Sequence, residues 1–459
     1  MGWAWSAYWV DFSTVTSGLQ LAEYSDNYKQ LEKTLNHIIK KMNDSRSIFC
    51  ENSRTDFIRS RKLDFQNTIK ILFCMENGSL RDELFKSFDN ALDTPTASAF
   101  VQARNKIKVD AFKHIFNKFN DGTHEDILYK GYRLLAIDGS ELPIDNSIYD
   151  KETRVLRTGG TNKPYSAFHI NASYDLLERS YDDLIIQGQA VRDENDAFCQ
   201  LVDRYQGRKA IFIADRGYES YNGFEHVAKS GNKYLVRVKD INSKTSMTRS
   251  LGPYPNDEFD IGVFRMLTLK CTSMIKACPQ LYKVCPTNMR FDYMSKEDPW
   301  YEFNCRIVRF KITEDTYECI ITNLDRTEFS SEDIKELYNK RWGIETSFRH
   351  VKYAIGLNSH HAKKRKYIKQ EIYISLTLYN LTQRLIRKIK IEKRNKKYIY
   401  QINFTRACHL VRSFLNKKDG KNPSLENLIA NEILPIRPGR SHNRNVKRKS
   451  FIYFNYRFD

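Results

Sequence analysis

The stretch Leu134-Leu135-Ala136-Ile137-Asp138-Gly139-Ser140 is a run of four apolar residues that ends on an acid, and Ile211-Phe212-Ile213-Ala214-Asp215-Arg216-Gly217-Tyr218 repeats the arrangement. Short apolar runs of this kind are strands of a covered sheet. An acid at a strand's end is held rigidly while it reaches ligand space. Taken alone, Asp138-Gly139 reads equally well as a turn. The second run removes that ambiguity by giving one core two strand-terminal acids. Such a pair can share divalent cations, because hard ions prefer carboxylate oxygens and need their charge neutralised.

Outward from these runs the pattern stays mixed. Arg133–Ile137, Ser166–Tyr174, Leu184–Gln187, Ala210–Ala214 and Lys233–Val238 read as strands, and Asn195–Tyr205 between the third and fourth reads as a helix. Strands that are first antiparallel and then alternate with helices give an α/β fold built on a mixed sheet. Residues 1–125 are expected to be helical, with apolar spacing in Tyr28–Met42 and Lys70–Phe85. Thr94-Pro95-Thr96 reads as an N-cap followed by Pro at the first helical position, opening a basic helix through Arg104, Lys106 and Lys108. That region reads either as a small DNA-binding module or as a solvated basic face. Residues 241–318 read as a β-rich insertion with strands at Phe264–Lys270 and Tyr301–Lys311, and a basic helix is expected from Lys363 to about Lys397. Core segments are expected at 126–240 and 319–400, and a basic C-terminal region at 401–459.

A third acid stands on a helix. Tyr338, Arg341, Glu345 and Lys352 are spaced three, four and seven apart, so at about 100° per residue they share roughly 60° of one helix face. Leu337, Ile344 and Phe348 run beside them as an apolar stripe, which sets the acid at the edge of a buried face. Ser330 is suited to cap this helix, with Glu332 and Asp333 in its first turn, and Gly356 to end it. A surface helix with chance charge pairing is the alternative.

The bulk numbers restrict the partner. A chain of 459 residues with 75 Lys and Arg against 56 Asp and Glu carries +19, the footprint of a protein that meets many phosphates. With 41% hydrophobic and 13% aromatic residues it folds despite 29% charge. No stretch approaches the ~20 apolar residues of a membrane span, and no basic segment opens a secretory signal, so a cytoplasmic, nucleoid-associated place is expected. Cys271, Cys278, Cys285 and Cys305 lack the spacing of a zinc knuckle, and an apolar strand setting accounts for them.

The spacing Tyr-x2-Arg-x3-Glu-x6-Lys filled by Tyr338, Arg341, Glu345 and Lys352 resembles the signature of the insertion-sequence-four family of bacterial transposases. Asp138-Gly139-Ser140 and Asp215-Arg216-Gly217-Tyr218 resemble the contexts of that family's first two acids. The likeness extends through Lys163-Pro164-Tyr165, Asn171 and Asp182 to the helix following Glu371, over roughly residues 55–400. It implies an RNase H-like core in which Asp138, Asp215 and Glu345 are catalytic and hold two Mg2+ ions, with Mn2+ able to substitute. It further implies cut-and-paste transposition on double-stranded DNA at terminal inverted repeats and target sites, with a homodimer on the DNA. Tyr338, Arg341, Lys352, Arg216 and Lys163 are the expected DNA contacts. The 129 residues between Asp215 and Glu345 resemble the family's β-rich insertion, which is associated with hairpin formation. Relatives that form hairpins often carry a Trp before an apolar run ending in Thr, to hold a flipped base. Here Tyr317-Glu318 precedes Cys319–Thr322, which leaves the hairpin step open, with Tyr317, Trp300 or Tyr301 as stand-ins. The competing readings are a stand-alone RNase H-like nuclease and a domesticated transposase kept for DNA binding.

Overall fold

The computed structural model describes residues 27–59, 61–147, 149–156, 164–286, 288–314, 316–391, 398–416 and 424–436. Lys163, residues 1–26 with Trp3, Trp5 and Trp9, and residues 437–459 at the end of the basic C-terminal region lie outside them. Helices α1 (Asn27–Asp44), α2 (Arg46–Phe49), α3 (Phe65–Cys74), α4 (Leu80–Ser87), α5 (Ala97–Asn105) and α6 (Val109–Thr123) come first. Strands β1 (Arg133–Ile144), β2 (Arg154–Val155), β3 (Tyr165–Asp175) and β4 (Ser180–Gly188) follow, then α7 (Glu194–Arg204), β5 (Ala210–Ala214), α8 (Tyr221–Lys229) and β6 (Lys233–Val238). Next come β7 (Phe259–Thr268), α9 (Ser273–Ala277), β8 (Tyr282–Val284), β9 (Trp300–Thr313) and β10 (Thr316–Thr322). The described chain closes with α10 (Ser331–Lys340), α11 (Trp342–Arg349), α12 (Arg365–Lys388), β11 (Tyr400–Ile402), α13 (Phe404–Leu415), α14 (Leu425–Asn431) and β12 (Ile433–Pro435).

The chain divides into two compact units, one drawn from 126–141 and 168–347, the other from 1–125, 142–167 and 348–459. The first is built on a mixed sheet in the order β4-β3-β1-β5-β6-β10-β9-β7-β8. β1, β5 and β6 are parallel, while β10 runs antiparallel to β6 and to β9. Every residue of β5 is buried, and so are the first five of β1, as expected where both faces of a parallel pair are covered. Leu135, Ile137, Phe198, Phe212, Phe224 and Tyr234 belong to this core, and Phe224 stacks on Tyr234 at 4.8 Å between ring centroids. Burying a side chain of this size contributes roughly 1.5–3 kcal/mol. Arg133 bridges three strands of the unit, donating to Asp175 from Nε and reaching Asp182 from Nη2, both at 2.9 Å. The strands of 241–318 extend the same sheet past β10, and Cys285 and Cys305 lie in its apolar core.

The second unit is largely helical. Every residue of α12 from Ile372 to Leu385 is buried, which marks a helix enclosed all round. α6 buries Ala111, Phe112, Ile115, Phe116 and Phe119 along one stripe, and Phe116 meets Tyr373 of α12. Arg104 of α5, expected on a basic outer face, is 2% exposed. It donates to Gln370 Oε1 at 2.8 Å, Glu371 Oε1 at 2.9 Å and the Tyr367 carbonyl at 2.6 Å. The cap of α5 is Thr96 rather than Thr94. The expected Lys70–Phe85 helix breaks into α3 and α4, because the Gly78 N–H donates to Glu83 Oε1 at 2.7 Å and Ser79 caps a new start. No helix among the described residues is long and apolar enough to cross a membrane.

Candidate active site

β1 and β5 pair in parallel from Arg133↔Ala210 to Ile137↔Ala214. One residue past the last pair on each strand stand Asp138 and Asp215. The two acids therefore leave adjacent parallel strands abreast, at the carboxyl end where such sheets present ligand sites. Asp138 is not at a strand terminus, however, as β1 continues to Ile144. The Asp-Gly pair makes no turn here, because Gly139 takes the extended conformation as readily as a turn and buried Leu142 and Ile144 keep the strand anchored. Asp215 does end its strand. It caps a short 3-10 turn over Arg216–Tyr218, its Oδ1 accepting from the Gly217 N–H at 2.8 Å.

Glu345 lies in the first turn of α11. Ser330 opens α10 with a capping box in which Asp333 is the reciprocal partner, as its sequence indicates. The α-helix does not run unbroken from Tyr338 to Lys352. Its hydrogen bonding tightens at Arg341, where Arg341 donates to the Tyr338 carbonyl and accepts from the Ile344 N–H, both at 3.1 Å. It then widens to a π-helix over His350–Ala354. A π turn holds more residues than an α turn, so counting 100° per residue does not carry to Lys352. Gly356, at φ +89°, follows as expected.

Arg341 is 3% exposed and Tyr338 2%, so both are interior groups rather than surface contacts. Arg341 Nη2 donates to Glu345 Oε1 at 2.8 Å. Its guanidinium carbon lies 5.4 Å from the Tyr338 ring centroid and 5.1 Å from that of Trp342, within cation–π range. Burial, with the charges of Asp215 and Glu345 adding to it, pushes the Asp138 carboxyl up to about 7 against the pull of Arg341 and the Gly139 N–H. Burial opposes the charge of Arg341, but Tyr338, Glu345 and Asp138 more than offset it and raise its pKa. Asp138, Asp215, Glu345 and Arg341 thus share one field within one unit.

The other expected residues are placed differently. Arg216 is exposed on the turn after Asp215. Lys352 lies in the π-helical turn and belongs to the second unit. The three aromatics weighed as base holders have partners in the sheet unit. Arg309 lies 3.7 Å over the Tyr317 ring, Lys270 lies 5.6 Å from that of Trp300, and the Tyr301 hydroxyl donates to Glu225 Oε2 at 2.6 Å.

Two residues near the acids, His169 and Glu194, carry no signal in the sequence, and Tyr218 carries one only as part of the Asp215-Arg216-Gly217-Tyr218 context. His169 on β3 and Glu194 at the start of α7 meet at 3.0 Å between Nε2 and Oε1, and His169 Nδ1 lies 3.1 Å from Gln189 Oε1. The close approach of His169 Nε2, with the charges of His169 and Arg192, holds Glu194 below its ordinary range despite partial burial. Tyr218 is 2% exposed, and burial followed by the charges of Asp138, Glu194 and Asp215 raises its hydroxyl well above normal. A lone His in an apolar strand and an acid opening a helix are commonplace features, so only the fold reveals their adjacency.

Among the described residues, no three His, Cys, Asp or Glu side chains converge tightly enough to hold a metal ion. The positive charge beside the acids is supplied by Arg341. The donor set itself, three carboxylates with Asp138 driven toward protonation by burial and further by the other two, has the chemistry that a hard divalent cation satisfies.

The family model for the transposase DDE domain matches residues 129–381, which is 253 of the 459 residues. The transposase InsG for insertion sequence element IS4 of Escherichia coli (strain K12) is 21% identical over 431 residues, covering 87% of this chain and 89% of that protein. A solved structure of a piggyBac transposase synaptic complex with hairpin DNA aligns with 90% of this chain and 86% of its own, at 13% identity and a TM-score of 0.45. With more than half of its length matched by the DDE domain and its acids in the sequence contexts described, the chain belongs to the DDE transposases, in the insertion-sequence-four family.

Proposed function

We propose that Asp138, Asp215 and Glu345 are the catalytic centre of a cut-and-paste transposase with an RNase H-like core. The observation that carries this is the placement of Asp138 and Asp215 abreast on adjacent parallel strands, with Glu345 in the same field. The strand path β4-β3-β1-β5-β6, antiparallel first and then parallel with α7 and α8 interleaved, supports the RNase H-like reading. Residues 1–125 are read as a helical DNA-binding region and 401–459 as a basic C-terminal region.

The three carboxylates would hold two divalent cations, Mg2+ or Mn2+, which when bound activate a nucleophilic oxygen and stabilise the leaving one. Arg341 keeps Glu345 oriented and balances the acids' charge in the free protein. The Arg341 guanidinium lies within cation–π range of the Tyr338 and Trp342 rings, which limits its alternative positions. Arg216, exposed on the turn after Asp215, is proposed to meet a DNA phosphate. Lys352 and Lys163 are proposed as further phosphate contacts on the family signature alone. Strand cleavage and strand transfer then use one site with different nucleophiles, water or a terminal 3′-hydroxyl. Two DNA ends need two such sites, hence a homodimer on DNA. A hairpin step would require Tyr317, Trp300 or Tyr301 to give up its present partner.

The test is cleavage of DNA carrying candidate terminal inverted repeats with Mg2+ or Mn2+. Wild type is expected to nick at the repeat ends, and Asp215→Ala to lose at least about a hundredfold in rate, the order seen when electrostatic stabilisation is removed. Equal rates for the two proteins would refute the assignment.

A further inference from the structure

We propose that Glu194, steadied by His169, is a positioning residue of the acid site: it accepts hydrogen bonds from water on a divalent cation held by Asp138 and Asp215. The inference rests on the reading of those two acids as cation ligands. Its geometry comes from the glycines beside them. A Cβ placed on Gly139 would run into His169 Nε2 and lie 3.3 Å from Glu194 Oε1. A Cβ on Gly217 would lie 3.0 Å from Asp215 Oδ1 and 3.6 Å from Glu194 Oε2. Glu194 therefore lies between Gly139 and Gly217, just past the two acids, with one oxygen on the His169 side and the other on the Gly217 side. At Gly139 a side chain would displace His169 from this arrangement.

A second observation concerns Tyr218. The Tyr218 side chain is buried, its hydroxyl has no hydrogen-bond partner, and the charges of Asp138, Glu194 and Asp215 all act on it. A buried hydroxyl left unpaired costs roughly 1–3 kcal/mol, so a phenol held in the field of three carboxylates points to a polar ligand near them. Water on a cation supplies hydrogen for Glu194 and oxygen for Tyr218.

Glu194 is also fixed from behind. Gln187 Oε1 accepts from the Asp193 N–H at 3.2 Å and from Asn171 Nδ2 at 3.1 Å, which pins the start of α7 to β3 and β4. His169 Nε2 lies 3.0 Å from Glu194 Oε1, and Oε2 lies on the Gly217 side. Partners that hold a metal's bound water or ligands in this way typically change affinity by about 10–100-fold when removed.

The experiment measures Mn2+ binding to the full chain by electron paramagnetic resonance of the free ion, for wild type, Glu194→Gln, His169→Gln and Asp215→Ala. Thermal unfolding in a chelator certifies each variant's fold. Asp215→Ala is expected to lose Mn2+ binding and Glu194→Gln to weaken it about 10–100-fold. Wild-type affinity in Glu194→Gln beside a loss in Asp215→Ala would overturn this inference and leave the catalytic reading standing. Wild-type affinity in Asp215→Ala would overturn both. If Glu194→Gln fails to fold, His169→Gln decides: a weaker affinity supports the role, and an unchanged one refutes it.

Discussion

At Arg341 one guanidinium orients Glu345, lowers the pKa of Asp138 and lies against two aromatic rings. Removing it leaves acids that only solvent can balance. Because the Glu345 side chain is one-third exposed, the loss falls below that of a fully buried pair. Arg341→Ala is expected to cost roughly 1–3 kcal/mol, read as a lower thermal midpoint, and Arg341→Lys to recover only part because Lys neither forks nor stacks. An unchanged midpoint would show that the pair is not structural. Asp260 gives a separate check in the sheet. Burial raises its carboxyl, but hydrogen bonds from Arg306 and Ser331 and the charges of Arg306 and Arg326 outweigh it and bring it to about 2, from 3.8. A depressed carboxyl stabilises above its unfolded pKa and loses that contribution as pH falls through 3.8 toward 2. Asp260→Asn should therefore cost roughly 2 kcal/mol at neutral pH, with the gap to wild type in urea unfolding closing in that acid window. A gap independent of pH would contradict the ion pair. At this scale the three acids were legible, because each stands in a distinctive local context. Glu194 and His169 were not, since their proximity depends on how β3 and α7 pack, which no spacing encodes.

Among elements, those with a single periodicity were the most readable. The bounds of β5 and β6 match their apolar runs because both strands are buried and flanked by polar turns. The N-terminus of α10 was equally plain, since Ser330 and Asp333 form the expected capping box. Ser330→Ala is expected to cost about 1 kcal/mol, seen as a lower denaturation midpoint. No change would mean that Lys130 and Tyr129, which also bond Asp333, hold the helix start by themselves. What the spacing concealed were the tightening at Arg341 and the π turn at 350–354, because an apolar stripe tolerates a local change of pitch. Asp138 was misplaced at a strand end for a related reason: Asp-Gly is strong turn chemistry, and only the buried Leu142 and Ile144 beyond it show that the strand continues.

For the whole molecule, helices α1–α6 share a unit with α12 and α13. Removing residues 1–125 would uncover the stripe of α12 that packs on α6 and leave Gln370 and Glu371 without Arg104. A chain beginning at residue 126 is expected to aggregate or to lose its cooperative thermal transition. A soluble fragment with an intact transition would show that α12 is stable without that cover. The central claim concerns Asp138, Asp215 and Glu345 together, and the most direct measurement separates DNA binding from DNA cleavage on one substrate. Wild type, Asp138→Asn, Asp215→Asn and Glu345→Gln would each be assayed on inverted-repeat DNA, by gel shift without divalent cation and by strand cleavage with Mn2+. The expected result is binding within a few-fold of wild type, as removing one carboxylate cannot weaken attraction to phosphate, together with loss of cleavage in all three. Wild-type cleavage by any one of them would contradict the triad.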